Sequence, residues 1–528
     1  MVEHDILVLG AGHNGLTAAG YLAKAGLDVG VVEGRSFWGG GAQTRETTIP
    51  GFFHETDSVG HGFIQHNPLL LNDELGLVSK YGLDYIYPDA QYGSVFADGT
   101  YTVTYFDIDQ TCEDIARISE EDAENYRRFF EYAGKLTPML TQSLFAPCPP
   151  FGQLMAMLET TENGRELMRA LMCSSWNIVN EFFSNEYIRV ALLKLTTEAM
   201  MAPEQDGTGA YLFMMLPGNH IHPYGYARGG GIQLPNSLVK CIEDYGGKIH
   251  LNSDIVHIDV VDGRAVGVTL ANGEKMTARR AILSTLNVKQ MFGGENPLLD
   301  PGTYPESIGY RVQRISLSSA STLSCNYALD EIPDYKVGGD INKCVVPELL
   351  PMMDEFRQHW YDCQQGIPPR NPVPYAACHS VVDQSKAPPG KATVQLYDPS
   401  PYRLADGGPE RWDEIKEEQE DRVLDWWKLF TKNVNSDTIL ARNIVSPIDL
   451  PRWNKNYVDG ENSGLGAQLY QYMSFRPIPE LGGFRTPIED LYVGGMTSHP
   501  GSGVCGGGRV PVQVMFEDFD IDFNKVIT

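Results

Sequence analysis

Residues 6–34 read ILVLGAGHNGLTAAGYLAKAGLDVGVVEG, and the order of residue types in that stretch decides the fold. Ile6 to Leu9 is an apolar run with no alternation for a wet face, as in a parallel strand buried on both sides. Gly10, Gly12 and Gly15 follow at the spacing GxGxxG. Gly10 permits a tight turn, Gly12 lets backbone approach a pyrophosphate, and Gly15 lets the next helix pack against the strand. A helix is expected from Asn14 to Ala25, because Ala and Leu dominate it and Gly26 offers a C-terminal stop. A second strand, Leu27 to Val32, ends in Glu33, whose carboxylate can accept hydrogen bonds from ribose hydroxyls. A pyrophosphate would sit at the helix N-terminus, where free N–H groups and the dipole favour an anion. Glu33 opposes a 2′-phosphate, since like charges would meet. Glycine-rich turns are common, but strand, glycines, helix, strand and acid in one unit predict a dinucleotide site.

The 528 residues carry 41 basic and 68 acidic side chains, a net charge of −27. That balance speaks against a nucleic-acid partner and against anionic lipid, although a local basic patch would leave peripheral membrane contact open. A chain of this length buries a large core and is expected to split into two or more domains. No run reaches the roughly 18 apolar residues needed to span a bilayer. Glu3 and Asp5 stand where a signal peptide would be basic, so a cytoplasmic location is expected. The nine cysteines are widely spaced with no CxxC, which supports neither zinc nor a redox dithiol. His54, His61 and His66 form no i, i+4 pair, so no metal is expected there.

Three more glycines, Gly39 to Gly41, follow Glu33 in GRSFWGGGAQTRE. The pattern GxGxxGLxxAxxLxxxGxxVxxxE, then GG and a Thr, resembles the flavin proteins of the phytoene desaturase and amine oxidase superfamily. The HNGL after the first glycines resembles its phytoene-dehydrogenase-related branch, with carotenoid desaturases, carotenoid isomerases and pyridine-nucleotide-disulfide-oxidoreductase-like proteins. Near the C-terminus, TPIEDLYVGGMTSHPGSGVCGGGRVPVQVM resembles the family's flavin motif: a strand Leu491–Val493, glycines, His499-Pro500-Gly501, then a helix. Between these, Gly229 to Gly231 lead into a helix near Leu234 to Tyr245 and a strand from Ile249 to Ile258.

The resemblance implies an α/β fold: a Rossmann-type, glutathione-reductase-like FAD-binding domain with an inserted mixed α+β substrate domain. Residues 1–75, 228–292 and 482–528 would form the first, and 76–227 and 293–481 the second with a helical roof. It implies FAD contacts at Gly10, Ala11, Gly12, His13, Asn14 and Gly15, at Glu33 and Gly34, and at Gly40, Gly41, Ala42 and Thr44. Further contacts are implied at Val256 (its backbone against the adenine), Ser284, Gly495, Met496, Pro500, Gly503 and Val504. A helix starting there would aim its dipole at the flavin ring. One departure stands out. Desaturases and amine oxidases usually carry GGR where this chain has Gly40-Gly41-Ala42, and Arg45 is close enough in sequence to substitute.

Elsewhere, Asp98-Gly99 predicts a hairpin and residues 118–200 read as helices, with Ser119 as an N-cap. Their Met and aromatic stripes read first as core and second as the wall of a hydrophobic substrate site. His220, His222, Tyr224 and Tyr226 alternate, so on a strand they would share one face. Residues 310–330 read as sheet, and 409–433 as an amphipathic helix whose Trp426, Trp427 and Phe430 are core or a partner face.

Together these imply an FAD-dependent oxidoreductase that removes a hydride from a hydrophobic, unsaturated or aromatic small molecule, with oxygen or a quinone-like compound reoxidising the flavin. His61, His222, Tyr224 and His499 are the catalytic candidates by type and location. Two alternatives stay open: a flavin-dependent isomerase without net redox, and a non-enzymatic prenyl-binding protein of GDP-dissociation-inhibitor architecture. Substrate, acceptor and oligomeric state are not legible.

Overall fold

The computed structural model describes residues 2–503 and 505–528. Two seven-stranded sheets organise it. In the first, the strand Val2–Leu9 pairs in parallel with Val29–Val32 on one side and with Lys275–Ser284 on the other. Lys248–His250 extends the sheet beyond Val29–Val32. The long strand Lys275–Ser284 is shared on its far side. Its first half pairs antiparallel with Arg264–Leu270, and its last three residues pair in parallel with Leu491–Val493. Both faces are covered, as the apolar run predicts: Ile6 and Val8 belong to one buried cluster, Leu7 and Leu9 to another.

The helix His13–Lys24 follows the first glycines, and Gly26 leaves it at φ +87°. It packs against Gly506–Asp518 so closely that a Cβ on Gly508 would lie 2.1 Å from the Asn14 carbonyl oxygen. Asp262 and Gly263 turn the hairpin between Ile255–Val261 and Arg264–Leu270, both at positive φ.

The second sheet runs in the order 439–445, 321–329, 392–400, 375–377, 347–350, 90–96, 101–105. One face is packed by Trp427 and Phe430, both buried, while Trp426 Nε1 donates to the Leu349 carbonyl at 3.0 Å. These aromatics are core, not a partner face. Over the other end lies a helical layer from Ile108 to Ile221 with its own core around Phe129, Leu193 and Phe213. Its helix Glu120–Ala133 starts at Ser119, whose hydroxyl accepts from Asp122 N at 3.1 Å.

Two local readings fail. His220 and His222 do not share a strand face with Tyr224 and Tyr226: His220 lies in the helix Gly209–Ile221, and His222 is its C-cap. That helix is buried nearly all round, so it carries no amphipathic period to betray it. Residues 310–312 close the helix Glu306–Val312, and the strand begins only at Ser321. The nine cysteines are all free thiols. Among the described residues no helix is long and apolar enough to cross a membrane.

Candidate active site

The parallel strands end in one crevice, the place where open α/β sheets bind ligands. Gly10, Glu33, Thr285 and Met496, each just past a strand end, line a cavity of about 640 Å³. Gly10 turns at φ +97°, and a Cβ on Gly15 would stand 2.0 Å from the Gly10 carbonyl oxygen. Gly12 caps the helix without any side-chain cap, leaving first-turn N–H groups for a ligand. The second glycine run lies against the first: Gly39 N donates to the Ala11 carbonyl at 2.7 Å, and a Cβ on Gly40 would meet Gly12 Cα at 2.9 Å.

Of the residues expected at a cofactor, Gly10, Gly12, His13, Asn14, Gly15, Glu33, Gly34, Gly40, Gly41, Ala42, Met496 and Gly503 line this cavity. Ala11 supports it from behind, its N–H donating to Glu33 Oε2 at 2.9 Å. Thr44 is not in the wall; its hydroxyl donates to buried Glu55 at 2.9 Å. Ser284 is a buried strand residue, and the wall is formed by Thr285 and Leu286 after it. Val256 is 48% exposed at a break in strand register, and Asp254 and Ile255 take the wall instead. Gly495 lies one residue short, where a Cβ would meet the Thr285 carbonyl oxygen at 2.6 Å. Pro500 lines a second cavity, and Val504 lies outside the described residues. Arg45 does not substitute for the missing arginine. It stacks over Phe37 at 3.6 Å, and the arginine of this segment that lines the wall is Arg35, which donates to Glu33 from Nε at 3.3 Å; Arg452 lines the same cavity from a separate segment.

The second cavity, about 250 Å³, shares Ser58, Gly60, Glu198, Tyr224, Ser463, Ser502 and Gly503 with the first. Met214 and Met215 of the helical layer, Leu144 and Leu465 give it apolar walls. Tyr224 separates the two, its ring so close to Gly60 that a Cβ there would lie 2.1 Å away. Burial raises its phenol well above the ordinary range. His61 lines the first cavity, with Nδ1 2.7 Å from the Tyr85 hydroxyl, and burial lowers its pKa to about 4. His499 and His222 line neither cavity. His499 Nε2 bonds the Ser143 carbonyl at 2.8 Å, a tie from the C-terminal segment to the helical layer. His222 sits edge-on to His66 at 4.7 Å.

Sequence reading missed Tyr375, Tyr397 and Glu198. Strand register pairs Tyr375 with Tyr397 and stacks their rings at 4.9 Å, both in the first cavity's wall. No local pattern foretells that pairing. Glu198 was visible as a lone acid in the apolar run LLKLTTEAMM.

A model of the family described as Flavin containing amine oxidoreductase matches residues 15–327. This chain belongs to that family. It is 28% identical over 560 residues to Pyridine nucleotide-disulfide oxidoreductase domain-containing protein 2 of Mus musculus, covering 98% of this chain and 94% of that protein. It is 25% identical over 545 residues to a limonene dehydrogenase subunit of Castellaniella defragrans, covering 98% and 95%. It is 22% identical over 562 residues to phytoene desaturase of Fusarium fujikuroi, covering 99% and 91%. Cyclohexylamine oxidase from Brevibacterium oxydans has the same fold, with a TM-score of 0.59 at 14% identity over 98% of this chain and 99% of that one.

This flavin amine oxidoreductase relative of the phytoene desaturases is an FAD-dependent oxidoreductase. The residues present fit the cofactor. His13 Nε2, Asn14 Oδ1 and Arg35 Nη1 are buried at the wall without a hydrogen-bond partner among the described residues, as polar atoms that a ligand satisfies would be.

Proposed function

We propose that the enzyme dehydrogenates a small, hydrophobic, unsaturated molecule held in the second cavity, with oxygen or a quinone-like compound as final acceptor. In this reading Gly12, His13 and Asn14 hold the pyrophosphate, Glu33 the ribose, and Asp254 and Ile255 the adenine. Gly40, Gly41, Met496 and Gly503 hold the flavin half. Residues 1–75, 228–292 and 482–528 then form the FAD domain, and 76–227 and 293–481 the substrate domain. Bound FAD supplies a two-electron acceptor for a hydride. The chain's part is to orient the substrate across Tyr224 and Gly60 and to keep water away from it.

One observation carries the reading: a cavity with Met214, Met215 and Leu465 as apolar walls, and Glu198 and Arg476 as its charged lining, opens on the same residues as the cofactor cavity. Its 250 Å³ falls below the ~300–1,000 Å³ of a drug-sized site, which supports a short substrate over a long polyene. The names of two relatives, a limonene dehydrogenase subunit and a phytoene desaturase, support an unsaturated hydrocarbon. The test is anaerobic mixing of the holoenzyme with a panel of cyclic terpenes, aromatic alcohols and amines while the flavin absorbance is followed. Bleaching by terpenes supports the reading. Bleaching by amines alone, or conversion of a terpene with no acceptor consumed, overturns it.

A further inference from the structure

Glu198 is the lone carboxylate among the described residues of the second cavity's wall, and it lines the first cavity too. Its side chain is 35% exposed, opening onto the cavities it lines. No hydrogen bond from a described residue reaches its oxygens. The nearest cation, buried Lys194 one helical turn back, holds Nζ at 3.9 Å, beyond hydrogen-bond distance. A carboxylate inside a protein is ordinarily hydrogen-bonded. Here its lone pairs are left for whatever enters.

The backbone aims it deliberately. Glu198 sits in the turn Thr197–Ala199, which ends in Met200 at φ +56°, a left-handed conformation that non-glycine residues adopt at a cost. Ser319 N donates to the Met200 carbonyl at 2.8 Å and pins that turn from the strand side of the molecule. Met200 itself lines the cofactor cavity. The strained residue and the unpartnered acid thus lie in adjoining walls.

We infer that Glu198 is the general base of this site, taking a proton from the substrate atom beside the carbon whose hydride leaves for the flavin. This rests on the second cavity being the substrate site. The step balances with FAD as oxidant. One C–H bond breaks with its electron pair leaving as hydride. The neighbouring bond to hydrogen breaks heterolytically, its proton joins the Glu198 carboxylate, and its electron pair becomes the new double bond. Burial raises the Glu198 pKa, which strengthens the base, while Lys194 opposes the shift. The titratable groups coupled to it are Lys194 from the preceding helix and Tyr92, Tyr224, Tyr226, Glu348, Tyr375 and Tyr397 from neighbouring elements, while Arg476 and His66 share the second cavity's wall with it and Asp57 and His61 the first's.

Two measurements on the holoenzyme test this. Without substrate, the flavin spectrum is titrated between pH 4 and 9. Wild type shows a spectral step above the ordinary carboxylate range, E198Q loses it, and E198D keeps one. With the compound that bleaches the flavin fastest, E198Q slows bleaching by ~100-fold or more, as loss of a general base does. Its dissociation constant stays within about threefold, and E198D recovers part of the rate. An unchanged titration in E198Q overturns the inference even where no compound bleaches the flavin. So does wild-type bleaching by E198Q, or a loss confined to substrate affinity, which would make Glu198 a cation-binding group. Failure of every compound to bleach the flavin overturns the proposed dehydrogenation and leaves the titration to judge Glu198 separately.

Discussion

Substituting Gly12 with Ala separates the cofactor site from the fold. A Cβ on Gly12 meets one protein atom within 4 Å, Gly40 Cα at an ordinary 3.7 Å. Its backbone, at φ −71° and ψ 167°, suits any residue. For the protein alone, the poorer cap and the stiffer unfolded chain offset each other at about half a kcal/mol or so each. The cost falls on the ligand. In the proposed site, a methyl there would stand where the pyrophosphate reaches the helix N-terminus. Losing one or two charge-assisted hydrogen bonds at about 1.5–3 kcal/mol each weakens FAD binding by ~10-fold or more. Gly15 is the contrast. A Cβ there lies 2.0 Å from the Gly10 carbonyl and 3.0 Å from Thr285 Oγ1, so strand and helix must part. Overpacking of that kind costs about 1–3 kcal/mol or more with no ligand present. The assay is calorimetry of the apoproteins beside an FAD titration followed by flavin fluorescence. G12A should melt with the wild-type apoprotein and bind FAD weakly; G15A should melt early. A G12A protein with wild-type FAD affinity would refute the placement of the pyrophosphate over Gly12.

Three further outcomes follow from the geometry. R35M should weaken FAD binding ~10-fold or more while R45M leaves it unchanged, because Arg35 is in the cavity wall and Arg45 lies on Phe37; equal effects in the same titration would refute this. K386M should destabilise the protein by about 3–5 kcal/mol in denaturant melts, because it strands the buried Glu55 carboxylate that Lys386 Nζ holds at 2.5 Å; a loss below about 1 kcal/mol would contradict it. His54, His359 and His499 are kept neutral by burial, their pKa values lowered from 6.5 to about 4. The unfolded chain therefore binds the extra protons first, and stability that is complete above about pH 6.5 is lost as pH falls toward 4. Melting temperature against pH should show that fall in wild type and a shallower one in H499N.

The distance between the legible and the illegible shows in particular residues. The loop from Gly10 to Gly15 could be read because its constraints are local: positive φ at Gly10, no room for a Cβ at Gly15. The strand Leu491–Val493 and the helix after it were equally local, an apolar triplet followed by glycines. The helix Gly209–Ile221 was not legible, since burial on every side erases the period that marks a helix. Arg35 and Arg45 lie ten residues apart and both stack on Phe37, and only the tertiary fold, which sets Arg35 beside Glu33, decides which one lines the cavity. His499 and His222 were plausible by residue type, yet what a histidine does depends on what its ring meets. One meets a backbone carbonyl, the other a histidine ring.

The sequence by itself determined the cofactor, because backbone approach to a pyrophosphate and a carboxylate for ribose are demands made on consecutive residues. The tertiary structure decided which side chains line the other end of the cofactor cavity. Tyr224, Tyr375, Tyr397 and Glu198 come from four separate segments of the chain and meet only through sheet register and one left-handed turn at Met200. Short-range patterns record what each segment is; they carry no trace of which segments the core presses together.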